Sequence, residues 1–152
     1  MNLRDCFQKR LLRRVKPDTA KSTRSLEVAS TKLEEAKRAL KNELFDAAII
    51  LSYTATFHAA RALLFRDGVV EKSHVCLIEY LRAEYVRKGR LSGALVNTLN
   101  SLRIDRHETI YGLETKSGVK EADYAVRKAK EFLEGAKRAL ARNMQQLGKP
   151  ES

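Results

Sequence analysis

Apolar residues recur along this chain at alternating spacings of three and four, the pattern of helices with one buried face. Leu26, Ala29, Leu33, Ala36 and Leu40 form such a stripe and predict a helix over about residues 22 to 41. Ala122, Ala129, Leu133, Ala136 and Leu140 predict another, from near Glu121 to about Gln146. Breakers divide the rest. A short helix fits residues 3 to 15 and stops at Lys16-Pro17-Asp18, because the residue before a proline is pushed out of helical geometry. Asn42 marks a weak break before a long apolar helix of about 43 to 66, which Arg66-Asp67-Gly68 ends. Ser73 is placed to cap the next helix, with Gly89 as its stop, and Ser92 to cap one that reaches Tyr111-Gly112. Residues 113 to 120 read as a polar loop and 148 to 152 as a frayed tail.

TKLEEAKRAL (31 to 40) and EFLEGAKRAL (131 to 140) share narrow, alanine-rich seams. Small residues let helix axes approach, so these two helices are expected to lie close together. No strand-like alternation of useful length is present. The expected fold is all-α, an antiparallel up-and-down bundle of five to six helices. Residues 45 to 65 have about the length of a membrane span, but Asp46, Ser52, Thr54, Thr56, His58 and Arg61 interrupt them. A helix apolar around most of its circumference belongs at the centre of a bundle.

Composition agrees with this picture and adds charge to it. Seven glycines and two prolines leave the helix formers dominant, and 43% hydrophobic residues exclude a disordered chain. The net charge of +11 favours an anionic partner. More than half of that excess sits in residues 1 to 24, where eight lysines and arginines face only Asp5 and Asp18. This segment reads equally as a nucleic-acid or acidic-partner contact and as a solvated amphipathic helix. Residues 1 to 21 are therefore set apart as a basic N-terminal segment, 22 to 147 as the bundle. Cys6 and Cys76 are too few for a disulfide framework; as free thiols they suit a reducing, cytoplasmic setting. Charges interrupt any apolar core near the N-terminus, so it is not read as a secretory signal.

Most catalytic signatures are missing: no phosphate-binding glycine loop, no GxSxG, no HExxH and no zinc-spaced Cys/His set. No cofactor and no metal are expected. His58 reads as a core histidine and His74 as a local structural one beside a helix cap. Chemistry concentrates in LRIDRHETIYG, residues 102 to 112. On a helix Arg103 and His107 share a face, while Tyr111 lies five residues after Arg106. A guanidinium forks onto phosphate oxygens, and an imidazole can take or give the protons of RNA cleavage. Arg103, Arg106 and Tyr111 are candidate phosphate contacts, and Arg106 and His107 candidate catalytic groups.

YTATFHAARALLFRDGVVEKSH (53 to 74) and the RHETIYG ending resemble the HEPN-domain family. RLLRRVKPD (10 to 18), AKRALKNELFDAAI (36 to 49) and DYAVRKAKEFLE (123 to 134) fit the same layout. The resemblance implies an antiparallel helical bundle that dimerises and is often encoded beside a minimal nucleotidyltransferase in toxin–antitoxin-like pairs. Active members cleave RNA without metal using Arg, four to six residues, then His. This chain departs from that motif: Tyr111 stands where Arg106 would need a histidine, and only three residues separate Arg103 from His107. Tyrosine, with an ordinary pKa near 10, is a poor base at neutral pH. The reading that follows is a cytoplasmic, homodimeric binding or regulatory module that contacts RNA and pairs with a nucleotidyltransferase, without membrane association. A metal-independent ribonuclease toxin and a non-catalytic interaction scaffold are the alternatives.

Overall fold

In a computed structural model, residues 1–112 and 117–147 are described, with side chains to residue 142. The element order is α1 (Leu3–Gln8), β1 (Leu12–Arg14), α2 (Thr19–Lys41), α3 (Phe45–Asp67), β2 (Val69–Glu71), α4 (His74–Leu81), α5 (Gly93–Tyr111) and α6 (Val119–Leu147). The all-α expectation holds, with a two-stranded ribbon added to it.

Helices α2 and α3 form the centre. Ser22 Oγ donates to the Ala62 carbonyl and Ser25 Oγ to the His58 carbonyl, both at 2.7 Å. As the position on α2 advances, its partner on α3 recedes, so the helices are antiparallel. Their seam is small: Ser22, Ser25, Ala29 and Ala36 on α2 are buried, as are Ala48, Ala55, Ala59 and Ala62 on α3. Within the α2 stripe, Leu26 and Leu40 are only partly buried and Ala39 joins the core. Helix α3 is long and apolar enough to cross a bilayer, yet most of it is buried against α2, α5 and α6. Helix α6 buries Ala122, Ala129, Leu133, Ala136 and Leu140 as its sequence stripe predicts. It runs beside α2, and the two line a shared groove with Leu33 and Leu133 at its floor and Lys37, Lys130 and Lys137 along it.

The caps behave as the sequence indicates. Ser73 Oγ accepts from Cys76 N, and Ser92 Oγ accepts from Ala94 N. Helix α4 runs into a wide π-type turn over Arg82–Val86 and stops at Gly89, whose φ is +70°. Helix α6 begins two residues earlier than its stripe suggests. Of the polar loop, residues 113 to 116 lie outside the described residues, as does the 148 to 152 tail.

The N-terminal segment departs most from expectation. Residues 3 to 15 do not form one helix: α1 ends at Gln8, Arg10 turns the chain at φ 58°, and Leu12–Arg14 is a strand. Leu12 pairs with Glu71, Arg13 with Val70 and Arg14 with Val69, antiparallel. Val15 N donates to Gly68 O and Lys72 N to Leu11 O, both at 2.8 Å. Three-residue strands are too short for alternation to reveal. The cysteines are likewise corrected. Cys6 and Cys76 are joined in a disulfide, their Cα atoms 5.7 Å apart, because α1 packs on α4. Pairing across 70 residues leaves no trace in spacing, and it removes the argument from free thiols for a reducing compartment.

Candidate anion site on the arginine face of α5

Val96, Leu99 and Leu102 bury one face of α5 against the bundle. Arg103 and Arg106 follow on the flank of that face and are half-buried. The Arg106 guanidinium lies over the ring of Tyr53 on α3, 5.4 Å from its centroid, and Arg103 Nε donates to Asn100 Oδ1 at 3.2 Å. Among the described residues neither guanidinium pairs with a carboxylate.

Tyr53 bridges Arg106 to a histidine that sequence spacing did not associate with it. His74 opens α4 directly after its Ser73 cap, and its Nδ1 lies 2.5 Å from the Tyr53 hydroxyl oxygen. The Phe57 ring stacks on the imidazole at 4.2 Å. The Arg61 guanidinium packs over Phe57 and Phe65 and is ion-paired with Glu71 at 2.6 Å, so the one carboxylate bearing on Tyr53 is already engaged. Burial, and then Arg106, Arg103 and Arg61, hold His74 below the ordinary histidine range. Burial pushes the Tyr53 phenol up to about 12 although Arg106 and Arg103 pull it down. At neutral pH the site thus holds a neutral imidazole, a protonated phenol and two uncompensated guanidiniums.

The other candidates lie apart. His107 and Tyr111 are exposed and pack on each other, ring centroids 4.7 Å apart, with Tyr111 67% exposed. Neither makes a hydrogen bond, ion pair or ring contact with Arg103 or Arg106 among the described residues. His58 is half-buried with its ring edge on Phe57, and burial, then Arg61 and Lys32, lower its pKa. The sequence did contain a signal for the missed residues: Tyr53, Phe57, Arg61 and Phe65 fall at intervals of four on α3, a polar-aromatic stripe on an otherwise apolar helix.

Two further surfaces frame the site. The opposite flank of α5 borders a cavity of about 400 Å³ lined by Asp105, Glu108 and Glu121 with Ile49 and Tyr124. On the N-terminal segment, Arg10, Arg13 and Arg14 border a cavity of about 370 Å³, and Arg14 lies over Phe7 at 4.7 Å. Leu12 and the disulfide anchor this basic unit to the bundle beside β2, and His74 follows β2 by three residues.

Comparison with known proteins agrees with the architecture. Residues 22–140 match the HEPN domain family. Two proteins of Methanocaldococcus jannaschii, each named "Putative toxin", are similar to this chain. One is 28% identical over 118 residues, covering 76% of this chain and 85% of that protein. The other is 24% identical over 115 residues, covering 76% and 78%. A UPF0332 protein of Thermotoga maritima is 27% identical over 108 residues, covering 71% and 82%. With its family match spanning most of its length and all of its central helices, the chain belongs to the HEPN domain family.

Proposed function

We propose that this HEPN-domain protein is a toxin–antitoxin-type component that contacts RNA through the arginine face of α5, acts as a homodimer and pairs with a small nucleotidyltransferase. The observation that carries the RNA reading is the pair Arg103 and Arg106: two half-buried guanidiniums, held by Asn100 and Tyr53, with no carboxylate on either among the described residues. Positive charge left uncompensated in this way favours a polyanion, and the basic N-terminal unit adds to it. The names of the archaeal relatives support the toxin–antitoxin context. The nucleotidyltransferase and the dimer follow from the family resemblance.

The test is the salt dependence of binding to a labelled single-stranded RNA, measured in EDTA so that cleavage is scored in the same samples. Each phosphate contact contributes about 0.7 to the slope of log affinity against log salt. Arg103→Ala with Arg106→Ala should therefore flatten that slope by about 1.4. Wild-type affinity absent at low salt would leave the interaction scaffold. Intact binding with RNA shortening lost in Arg106→Ala and His107→Ala would establish the ribonuclease. Light scattering should give a mass twice the 17.3 kDa of the chain, and a monomer would rule out the dimer.

A further inference from the structure

We propose that Arg103, Arg106 and His74 form a phosphate-binding site within a single protomer, with Tyr53 as the residue that positions the imidazole. The ligand is a phosphate group of an RNA strand, and this part rests on the RNA reading above.

The geometry has three parts. First, two guanidiniums that pair with no carboxylate among the described residues supply forked donors suited to phosphate oxygens. Second, the Tyr53 hydroxyl lies 2.5 Å from His74 Nδ1. A phenol that stays protonated can donate to Nδ1, which leaves the ring proton on Nε2 and makes that atom a donor as well. Third, Phe57 stacks on the imidazole at 4.2 Å and restricts its rotation. The ring is thereby fixed in place and in tautomer, the arrangement by which an outer hydrogen bond orients a ligand-binding histidine.

The charges bearing on His74 are Arg103 and Arg106 from α5 and Arg61 from α3, with Arg61 tied to Glu71 of β2. Burial, and with it the repulsion of these arginines, keeps the imidazole neutral in the free protein. A bound phosphate offsets that repulsion, so His74 takes up a proton from solvent as the ligand binds. Phosphate affinity should then rise as the pH falls towards the ordinary histidine range. The RNA reading alone, which rests on the two guanidiniums and not on the imidazole, gives no such dependence.

The experiment uses inorganic phosphate and one oligoribonucleotide in two forms, with a 5′-hydroxyl and with a 5′-phosphate. Histidine nitrogen and carbon resonances are followed by NMR in wild type, and affinities are measured for His74→Gln, Tyr53→Phe and, as a charge control on α6, Lys137→Gln. The expected result is that His74 resonances shift and saturate. His74→Gln should weaken binding about tenfold or more, the loss of one charge-assisted hydrogen bond. It should also flatten the pH profile measured with the 5′-hydroxyl RNA, whose diesters do not titrate there. Tyr53→Phe should mix the two His74 tautomers while leaving helical content intact, and Lys137→Gln should change affinity less than about twofold. Equal binding of the two RNAs identifies an internal phosphodiester, and selective binding of the 5′-phosphate form identifies a terminal one; both support the site. RNA binding with His74 unmoved, or with a folded His74→Gln at wild-type affinity, overturns it and leaves the RNA reading standing. Phosphate shifting His74 while neither RNA binds overturns the RNA reading and keeps the site.

Discussion

Asp67, at the last turn of α3, accepts hydrogen bonds from Tyr80 and Tyr85, each at 2.9 Å and both to the same oxygen. Burial raises its pKa above the ordinary 3.8, and the two phenols pull it partly back. The folded protein therefore binds a proton at Asp67 more readily than the unfolded chain. The stability that this proton contributes is full below 3.8 and is lost as the pH rises through the higher folded value. Asp67→Asn keeps an acceptor oxygen and carries no charge. It should stay within about 1 kcal/mol of wild type at neutral pH and remove that downward slope above 3.8. Asp67→Ala withdraws the shared acceptor from two buried phenols and should cost about 1–3 kcal/mol. Urea unfolding across pH reads both; a slope unchanged in Asp67→Asn would assign the pH dependence to other groups. The same residue-scale logic separates the three histidines. Among the described residues, His74 alone has both a hydrogen-bonded orienting partner and uncompensated arginines bearing on it.

At the scale of elements, the passage from α3 to β2 turns on Gly68, which holds φ at +78°. Its carbonyl accepts from Val15 N, so this turn also fixes where the N-terminal strand docks. A Cβ there would run into the Val15 carbonyl oxygen, and the positive φ disfavours any L side chain. Gly89 has a similar φ of +70°, but a Cβ would meet nothing within 4 Å. Gly68→Ala should therefore cost more than about 1 kcal/mol and expose the Val15 and Lys72 amides to hydrogen exchange. Gly89→Asn, which tolerates left-handed geometry, should cost only a few tenths. Equal losses from the two would mean that backbone conformation, and not docking of the strand, sets the requirement.

For the whole molecule, the family match begins at residue 22, and the preceding segment is tied on by non-local bonds. A disulfide to Cys76, a strand paired with β2 and the buried Leu12 attach it. Closing a loop of 70 residues restricts the unfolded chain by an amount on the order of 4 kcal/mol. Reduction, or Cys76→Ser, should lower unfolding free energy by about 2–4 kcal/mol and release protection of α1 and β1 before that of α2 and α3. Simultaneous loss everywhere would show that the segment and the bundle unfold as one unit. This anchoring matters for function, because it holds the basic residues Arg10, Arg13 and Arg14 beside β2, next in the chain to His74.

From α2 onward the helices, their serine caps and glycine stops, and the resemblance to the HEPN family were legible in the amino-acid order. Each depends on residues within about four positions of one another, or on an ordered block of motif residues. Arg103 and Arg106 were legible as phosphate candidates for the same local reason. The alanine-rich seams also indicated that α2 and α6 lie close together, but which residues of distant elements meet was decided only by the tertiary structure. Cys6 found Cys76, Leu12 paired with Glu71, and His74, not His107, came to lie by Tyr53 and the two arginines. Periodicity sets which face of a helix is buried; it carries no information on which residue of another helix that face will meet. That choice is made by the close approach of the small-residue seams of α2 and α3 and by the packing of α4 and α5 on α3.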